Sequence, residues 1–204
     1  MISQTYPYLE FYIACNTMIN KNIPRVRSLL VSEPFMLDPN FIRSVVILCE
    51  HDENGTVGLV LNQPSNLQVK DVVENMPDVD FPLYIGGPVG IESIQFIHKC
   101  GDRLSGGVAL GDGISWGGNF EALILLLENK EIDKDEIKFF MGYSGWTEGQ
   151  LESELKDNTW MVSNDFNPDI VFVHDEENLW KEAVVNLGPK YAHVAQFPQN
   201  PMWN

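Results

Sequence analysis

Residues 41–62 of this chain read FIRSVVILCEHDENGTVGLVLN and carry its strongest folding signal. Two runs rich in β-formers, residues 41–51 and 56–62, flank a polar connection that contains Asn54 and Gly55. Asn-Gly between two such runs is the strongest short-range signal for a β-hairpin, because both residues tolerate the backbone angles of a tight turn. The core of the first run, SVVILC, is apolar at odd and even positions, as is typical of an interior strand. The sequence therefore predicts a hairpin inside a sheet.

Strands and helices interleave through the rest of the chain. Short apolar runs predict strands at residues 26–31, 83–85, 94–98, 108–110, 114–116, 137–143 and 170–173. Capping signals at Ser65/Gln68, Asn119, Thr147/Gln150 and Gly188 predict helices at residues 65–76, 120–129, 148–157 and 176–187. An acidic run, Asp175-Glu176-Glu177, suits the start of the last helix because carboxylates there favour the helix dipole. This pattern predicts an α+β fold in a single domain.

The two faces of the predicted hairpin differ in chemistry. With a turn of even length, odd-numbered residues of the first strand share a face with even-numbered residues of the second. One face then combines Arg43, Cys49 and His51 with Gly58 and Asn62, whereas the other carries only apolar side chains. Gly58 leaves room on the first face for a close backbone or a ligand. The alternative is that Arg43 and Asn62 satisfy buried loop carbonyl groups and that Cys49 packs in the core.

Two turns are expected to complete a cleft beside the polar face. They are residues 86–88, Gly-Gly-Pro, and residues 144–146, Ser-Gly-Trp, the second of which is read as leading from a strand into a helix. Gln150 in the first turn of that helix has two interpretations. It forms a capping box with Thr147, or it belongs to a ligand site where the free backbone N–H groups of the helix start hold the ligand.

Recognisable catalytic and cofactor motifs are missing from the sequence. It contains no phosphate-binding loop, dinucleotide fingerprint, zinc-protease motif or nucleophile elbow. Cys49 and His51 are close in sequence and point the same way on a strand, so they are the candidate catalytic pair. A metal site there would need two more ligands, and no metal or cofactor is predicted.

Composition narrows the classes of function. The 204 residues include 13 Lys and Arg against 29 Asp and Glu, a formal net charge of −16. Such a field repels nucleic acid, so direct DNA binding is disfavoured. No apolar run approaches the roughly 20 residues that span a bilayer, and the start of the chain lacks the features of a secretion signal. Three cysteines, an odd number, suit reduced thiols, and we expect a soluble cytoplasmic protein.

The N-terminal segment differs from the remainder. Residues 1–22 are rich in aromatic side chains and show neither a strand nor a helix period. We interpret them as an extension that precedes a single domain at residues 23–204. Met18 lies inside this segment, so both Met1 and Met18 are candidate translation starts.

Several segments together resemble the YqgE/AlgH family, which is sometimes labelled a family of transcriptional regulators. The matching pieces are LVSEP at 30–34 with Asp38, FxRSVV through CEH at 41–51, NGxxG through NxP at 54–64, GGPV at 86–89, FIH at 96–98, GYSGW at 142–146, GQLExE at 149–154 and Trp160. The resemblance implies a compact α+β domain with a mixed, mostly antiparallel β-sheet flanked by helices. It implies no activity, cofactor or substrate.

Three functions remain open from the sequence. The favoured one is a regulatory protein that binds a small molecule or a protein partner, the second is an enzyme that uses the Cys49 thiol in a cleft, and the third is a DNA-binding regulator. The residues predicted to line the binding site are Arg43, Gly58, Asn62, Gly86, Gly87, Pro88, Ser144, Trp146 and Gln150, with Cys49 and His51 as catalytic candidates.

Overall fold

A computed structural model describes residues 22–198 and shows a ten-stranded sheet with four α-helices. The strands are β1 (Leu29–Ser32), β2 (Val45–Asp52), β3 (Gly55–Val60), β4 (Pro64–Gln68), β5 (Pro82–Ile85), β6 (Val89–His98), β7 (Val108–Gly111), β8 (Ile114–Trp116), β9 (Ile137–Thr147) and β10 (Trp160–Ser163). The helices are α1 (Val69–Val72), α2 (Phe120–Glu128), α3 (Gln150–Lys156) and α4 (Glu176–Asn186). The 3₁₀ turns lie at Gly101–Arg103, Pro168–Phe172, Pro189–Tyr191 and Val194–Gln196.

The long strand β9 connects the two halves of the sheet. The strand order is β10-β1-β2-β3-β9-β6-β8-β7, and β5 pairs with both β9 and β4. The β5–β9 pair is parallel, and the other pairs of described strands are antiparallel. The N-terminal half of β9 lies between β5 and β6, whereas its C-terminal end pairs with β3. The expected fold class, a mixed and mostly antiparallel α+β domain, is confirmed.

The helices cover the sheet over three apolar clusters. The largest packs β1, β2, β3 and part of β9 against α4 and the C-terminal 3₁₀ turns. A second packs β5, β6 and β9 against α2, and the third packs β1, β2 and β10 against α3. Among the described residues, no helix combines the length and the apolar character needed to cross a membrane.

The predicted hairpin forms as β2 and β3, but its two faces are not those that parity predicted. Near the turn, Asp52 pairs with Gly55 and His51 with Thr56, whereas further on Leu48 pairs with Gly58. The register shifts because Cys49 is the extra residue of a β-bulge, which leaves two residues opposite one. Beyond the bulge, odd residues of β2 therefore face odd residues of β3, so the predicted face is wrong there.

Local signals predicted several elements correctly. The hairpin of β7 and β8 is confirmed, as are α2 and α4, whose caps form as expected. The Asn119 side chain accepts from the Ala122 N–H at 2.9 Å, and Gly188 follows α4 with φ +122°. A helix N-cap and a C-terminal glycine act within one turn, so neighbouring residues suffice to specify them.

Other elements were predicted wrongly or missed. Residues 64–68 form β4, and at the start of the short α1 the Gln68 N–H donates to Asp71 Oδ2 at 2.8 Å. Residues 144–146 continue β9 and form no turn, and the run near residue 170 is a 3₁₀ turn. Strand β10 was not anticipated. Pairing with distant strands determines the secondary structure of β4 and β10, since β4 pairs with β5 and β10 pairs with β1. The interpretation of residues 1–22 as an extension stays a prediction, because residue 22 is the one residue of this segment that the structure describes.

Candidate ligand-binding groove

An aromatic cleft lies where the end of β9 meets α3 and β10. Its volume is about 360 Å³, which is within the range of small-molecule sites. Trp146 comes from β9, Gln150 and Glu154 from α3, Trp160 from β10, and Phe41 from the connection between β1 and β2. The remaining lining residues are Met36, Asp38, Pro88, Gly145 and Thr159.

One carboxylate joins the two tryptophans of this cleft. Glu154 Oε2 accepts from Trp146 Nε1 at 2.8 Å and from Trp160 Nε1 at 2.6 Å. Its Oε1 atom accepts from the Gln150 amide at 2.9 Å. We call these four residues the indole–carboxylate cluster. Both tryptophans are almost fully buried, at 5% and 2% exposed, so the carboxylate satisfies donors that would otherwise be costly to bury.

Phe41 completes an aromatic wall. Its ring centroid lies 6.3 Å from that of Trp146 and 5.4 Å from that of Trp160, and the two tryptophan centroids are 5.9 Å apart. Two of these three contacts are edge-to-face, the arrangement that aromatic quadrupoles favour. The rings are therefore fixed by packing and by Glu154 before any ligand arrives.

The start of α3 places Gln150 and Glu154 on one side of the helix. Gly149 supplies a left-handed turn at φ +72°, and the Thr147 N–H donates to Gln150 Oε1 at 3.1 Å. One half of the predicted capping box thus forms. Residues four apart on a helix are neighbours, and the Gln150 side chain is shared between Thr147 and Glu154.

A second cleft, the hairpin groove, adjoins the first. Its volume is about 540 Å³, and it is lined by Glu50, Asp52, Asn54, Gly55, Thr56, Val57, Val89, Tyr143, Gly145, Trp146 and Thr147. It shares Gly145 and Trp146 with the aromatic cleft. Beyond the Val89–Tyr143 pair, none of the described strands pairs with the second edge of β9. We call the two adjoining clefts together the Gly145 groove.

Gly145 differs from the other glycines of the chain. Four of the described glycines, Gly58, Gly86, Gly107 and Gly145, lie outside the left-handed region. A Cβ atom on any of the first three would collide with protein atoms, whereas on Gly145 its nearest neighbour would be the Tyr143 ring at 3.5 Å, an ordinary contact. Neither backbone conformation nor packing requires glycine at this exposed position. A strand glycine without such a reason is typical of a site that something else approaches closely.

Glycines 86 and 87 have a structural role instead. A Cβ on Gly86 would collide with the Gly142 carbonyl, and one on Gly87 with the backbone and hydroxyl of Ser144. The Ser144 hydroxyl is buried and donates to the Gly86 carbonyl at 3.0 Å. Of this predicted turn, only Pro88 lines the aromatic cleft. The space beside Gly58 is likewise filled, since its Cβ would lie 2.7 Å from Val46 Cγ1.

Arg43 and Asn62 lie in a different cleft, of about 520 Å³, beside the start of α4. Asn62 Oδ1 accepts from the Val45 N–H, and its amide donates to the Arg43 carbonyl, both at 2.9 Å. The Arg43 guanidinium stacks over Trp180 at 4.7 Å and donates to the Phe197 carbonyl. These contacts match the structural alternative, in which the two side chains satisfy loop backbone groups.

Cys49 lies in the apolar core and lines none of the three clefts described above. The thiol is 1% exposed, belongs to the largest apolar cluster and donates weakly to the Ile47 carbonyl at 3.9 Å. Burial, reinforced by the charge of Glu50, raises the pKa of this thiol far above its usual range. His51 instead bonds Thr56 Oγ1 at 2.7 Å. An inaccessible, protonated thiol is a poor nucleophile, so the geometry gives the thiol-enzyme alternative no support.

A polar cluster around the buried side chains of Tyr84 and Lys138, on the other half of the sheet, was not anticipated. The Tyr84 hydroxyl donates to Glu176 Oε1 at 2.5 Å and bonds His174 Nδ1 at 2.8 Å. Lys138 Nζ lies 4.0 Å from the Tyr84 ring centroid and donates to the Val173 carbonyl at 2.8 Å. Burial lowers the pKa of Lys138 to about 7, although the charge of Glu176 opposes the shift. We call Lys138, Tyr84, Glu176 and His174 the lysine–tyrosine cluster.

Of the residues that line the groove, Trp146, Gln150 and Pro88 were predicted from the sequence, whereas Phe41, Glu154 and Trp160 were not. The spacing of four between Gln150 and Glu154 was a usable signal, because it places both on one helix face. Nothing local links Phe41 or Trp160 to them. Within residues 22–198, no three carboxylate, imidazole or thiol groups are arranged so that they could hold a metal ion.

The chain matches a protein family over most of its length. The family model described as AlgH-like matches residues 29–192. A UPF0301 protein of Chlorobaculum tepidum is 37% identical over 176 residues, which cover 86% of this chain and 94% of that protein. A UPF0301 protein of Bacteroides thetaiotaomicron is 36% identical over 187 residues, covering 91% and 94%.

Two solved structures have the same fold. The solution structure of the AlgH protein from Pseudomonas aeruginosa is 29% identical, with a TM-score of 0.67, and the match covers 87% of this chain and 97% of that one. Protein DIP2367 from Corynebacterium diphtheriae is 24% identical, with a TM-score of 0.71 and coverage of 89% and 96%.

Proposed function

This chain belongs to the AlgH-like family, and on that premise we propose that it is a binding protein with a regulatory role, whose ligand lies in the Gly145 groove. The ligand is a small molecule or a segment of a protein partner. No bond is made or broken in the groove. The proposal includes a cytoplasmic location, which the free, buried thiols of Cys49 and Cys100 favour.

The observation that carries the proposal is the open space above Gly145. A glycine inside a strand costs stability relative to a residue with a side chain, and here the fold gains nothing in exchange. The same residue lies where two clefts meet, next to an aromatic wall that is already held in place. Concave shape and fixed rings are the usual properties of a ligand site.

The two alternatives have less support. An enzyme that uses Cys49 would need an accessible thiolate, and this thiol is buried in the apolar core. A DNA-binding regulator would need cationic side chains along its interface. The Gly145 groove is lined by four carboxylates and no Lys or Arg.

The test uses a variant that fills the groove without disturbing the core. A Cβ atom on Gly145 faces Tyr143 and Val89, so Gly145→Phe places a ring in the hairpin groove, beside the residues that the two clefts share. Gly145→Ala adds one methyl group as the matched control. A thermal-shift screen against metabolites and nucleotides is run on the wild type and on both variants. A ligand that binds only the folded state raises the melting temperature.

We expect at least one compound to stabilise the wild type and Gly145→Ala, and to lose its effect on Gly145→Phe. Near-UV circular dichroism of the unliganded variants checks that the fold is retained. A ligand whose stabilising effect is the same on Gly145→Phe as on the wild type binds elsewhere, and that result would refute the proposed site.

A further inference from the structure

The Gly145 groove has carboxylates on both sides of its centre. Asp38 and Glu154 line the aromatic cleft, and Glu50 and Asp52 line the hairpin groove. Among the residues that the structure describes, no Lys, Arg or His lines either cleft, and none of these four carboxylates is in an ion pair. The field in the groove is therefore negative and uncompensated, on a chain whose net charge is already −16.

Phe41, the partly exposed ring of the aromatic wall, favours the same sign of charge. The faces of indole and phenyl rings attract cations, and the attraction is largest where water is excluded. Two indole N–H groups donate to Glu154 and hold its carboxylate at the cleft. A guanidinium group suits this setting because it is planar, stacks on aromatic rings and pairs with carboxylates.

The arrangement of the four carboxylates excludes a single small cation as the matching ligand. The part of the chain that the structure describes holds no group of three acidic, His or Cys side chains suited to a metal ion. The charges instead lie along two adjoining clefts of about 360 and 540 Å³. Val89, an exposed apolar residue at 39%, borders the second cleft. An extended ligand with more than one positive charge and some apolar surface complements this surface.

We propose that the Gly145 groove binds a basic peptide segment of a partner protein, with one arginine side chain in the aromatic cleft and a second basic residue in the hairpin groove. This inference rests on the proposed function and specifies its ligand. The charge complementarity of the groove identifies the occupant as a cationic peptide segment.

The probe is the peptide acetyl-Leu-Arg-Gly-Leu-Arg-amide, and its control carries citrulline in place of both arginines. Citrulline has nearly the same shape as arginine and no charge, so the pair isolates the charge. Binding is measured by calorimetry and by tryptophan fluorescence, to which Trp146 and Trp160 contribute two of the chain's five tryptophans. We expect the arginine peptide to bind at least tenfold more tightly, with an affinity that falls as salt is added.

Two double variants of the protein test whether the carboxylates of the groove are the ones that bind the arginine peptide. Asp38→Asn with Asp52→Asn removes two exposed groove charges and keeps the oxygens that accept from Asn40 and Asn54. We expect it to weaken the arginine peptide about three- to tenfold. The control, Glu128→Gln with Asp135→Asn, removes two exposed charges outside the groove and changes the affinity less than twofold.

The outcomes separate this inference from the proposed function. Equal binding of the citrulline peptide, equal weakening in both variants, or no arginine-peptide binding at millimolar concentration overturns the cationic ligand. The binding function stands in those cases if a compound from the screen still loses its effect on Gly145→Phe. Arginine-peptide binding that survives Gly145→Phe unchanged overturns the inference as well, because the peptide then binds outside the groove.

Discussion

Glu154 and Glu176 each accept hydrogen bonds from aromatic side chains, but among the described residues only Glu176 has a cationic side chain close to it. In the indole–carboxylate cluster, the acceptor serves two indole N–H groups and one amide, all of them neutral. In the lysine–tyrosine cluster, Glu176 accepts from Tyr84, and the ammonium of Lys138 lies against the same ring. The first cluster therefore keeps a net negative charge, whereas the second contains charges of both signs.

Among the described residues, this difference separates a carboxylate that has no cationic partner from one that has a cationic side chain beside it. Lys138 is 1% exposed and belongs to none of the clefts described above. Glu154 faces a cleft and has no cationic partner among the described residues. An unpaired carboxylate beside aromatic rings attracts a cation from outside, while a carboxylate near a buried lysine has that interaction already.

The largest expected effect is on the stability of the indole–carboxylate cluster. Glu154→Leu leaves two buried indole N–H groups without an acceptor, and each unsatisfied donor costs about 1–2 kcal/mol. We expect the free energy of unfolding in urea to fall by about 3 kcal/mol. Glu152→Leu removes the same charge from an exposed position of α3 and should change it by less than about 0.5 kcal/mol. If the two variants are equally stable, Glu154 does not hold the tryptophans.

A second prediction concerns the pH dependence that Lys138 imposes. Its pKa is about 7 in the folded protein and 10.5 in the unfolded chain. Between these values the unfolded chain binds more protons, so the free energy of unfolding rises with pH. Below pH 7 the lysine is protonated in both states, so the free-energy cost of burying its charge no longer changes with pH. Relative to Lys138→Met, the wild type should gain about 2 kcal/mol from pH 7 to 9, at roughly 1.4 kcal/mol per pH unit.

Urea unfolding of both proteins at pH 7, 8 and 9 measures this gain. Subtracting the pH profile of Lys138→Met from that of the wild type cancels the contribution of the thiols, which are present in both proteins. The control, Lys134→Met, removes an exposed lysine near the start of the same strand, and it tests whether the loss of one positive charge is enough to change the pH profile. Parallel pH profiles for the wild type and Lys138→Met would show that Lys138 is not buried as an amine with a lowered pKa.

The smallest effect is expected at Tyr84. Tyr84→Phe keeps the ring beside Lys138 and removes the hydroxyl that donates to Glu176 and bonds His174. The loss should be about 1 kcal/mol, the typical net value of one hydrogen bond, because Glu176 is partly exposed and regains water. Differential scanning calorimetry measures it. A loss as large as that of Glu154→Leu would contradict the contrast between the two clusters.

The elements that sequence analysis predicted well depend on neighbouring residues. Asn119 caps α2 three residues from its bonding partner, and β7 and β8 pair across a glycine turn. The hairpin of β2 and β3 formed for the same reason. Its faces were predicted wrongly because one bulged residue, Cys49, reverses the parity of everything beyond it. No local signal in the sequence marks where a strand will bulge.

The sequence by itself determined the fold class, the helices with strong caps, the family and the sign of the net charge. These properties follow from composition, from contacts within one turn and from the succession of motifs along the chain. Only the tertiary structure decided that Trp146, Glu154, Trp160 and Phe41 form one wall, since they come from two strands, a helix and a connection. It also decided that Cys49 is buried, because the exposure of a side chain depends on which distant segments cover it.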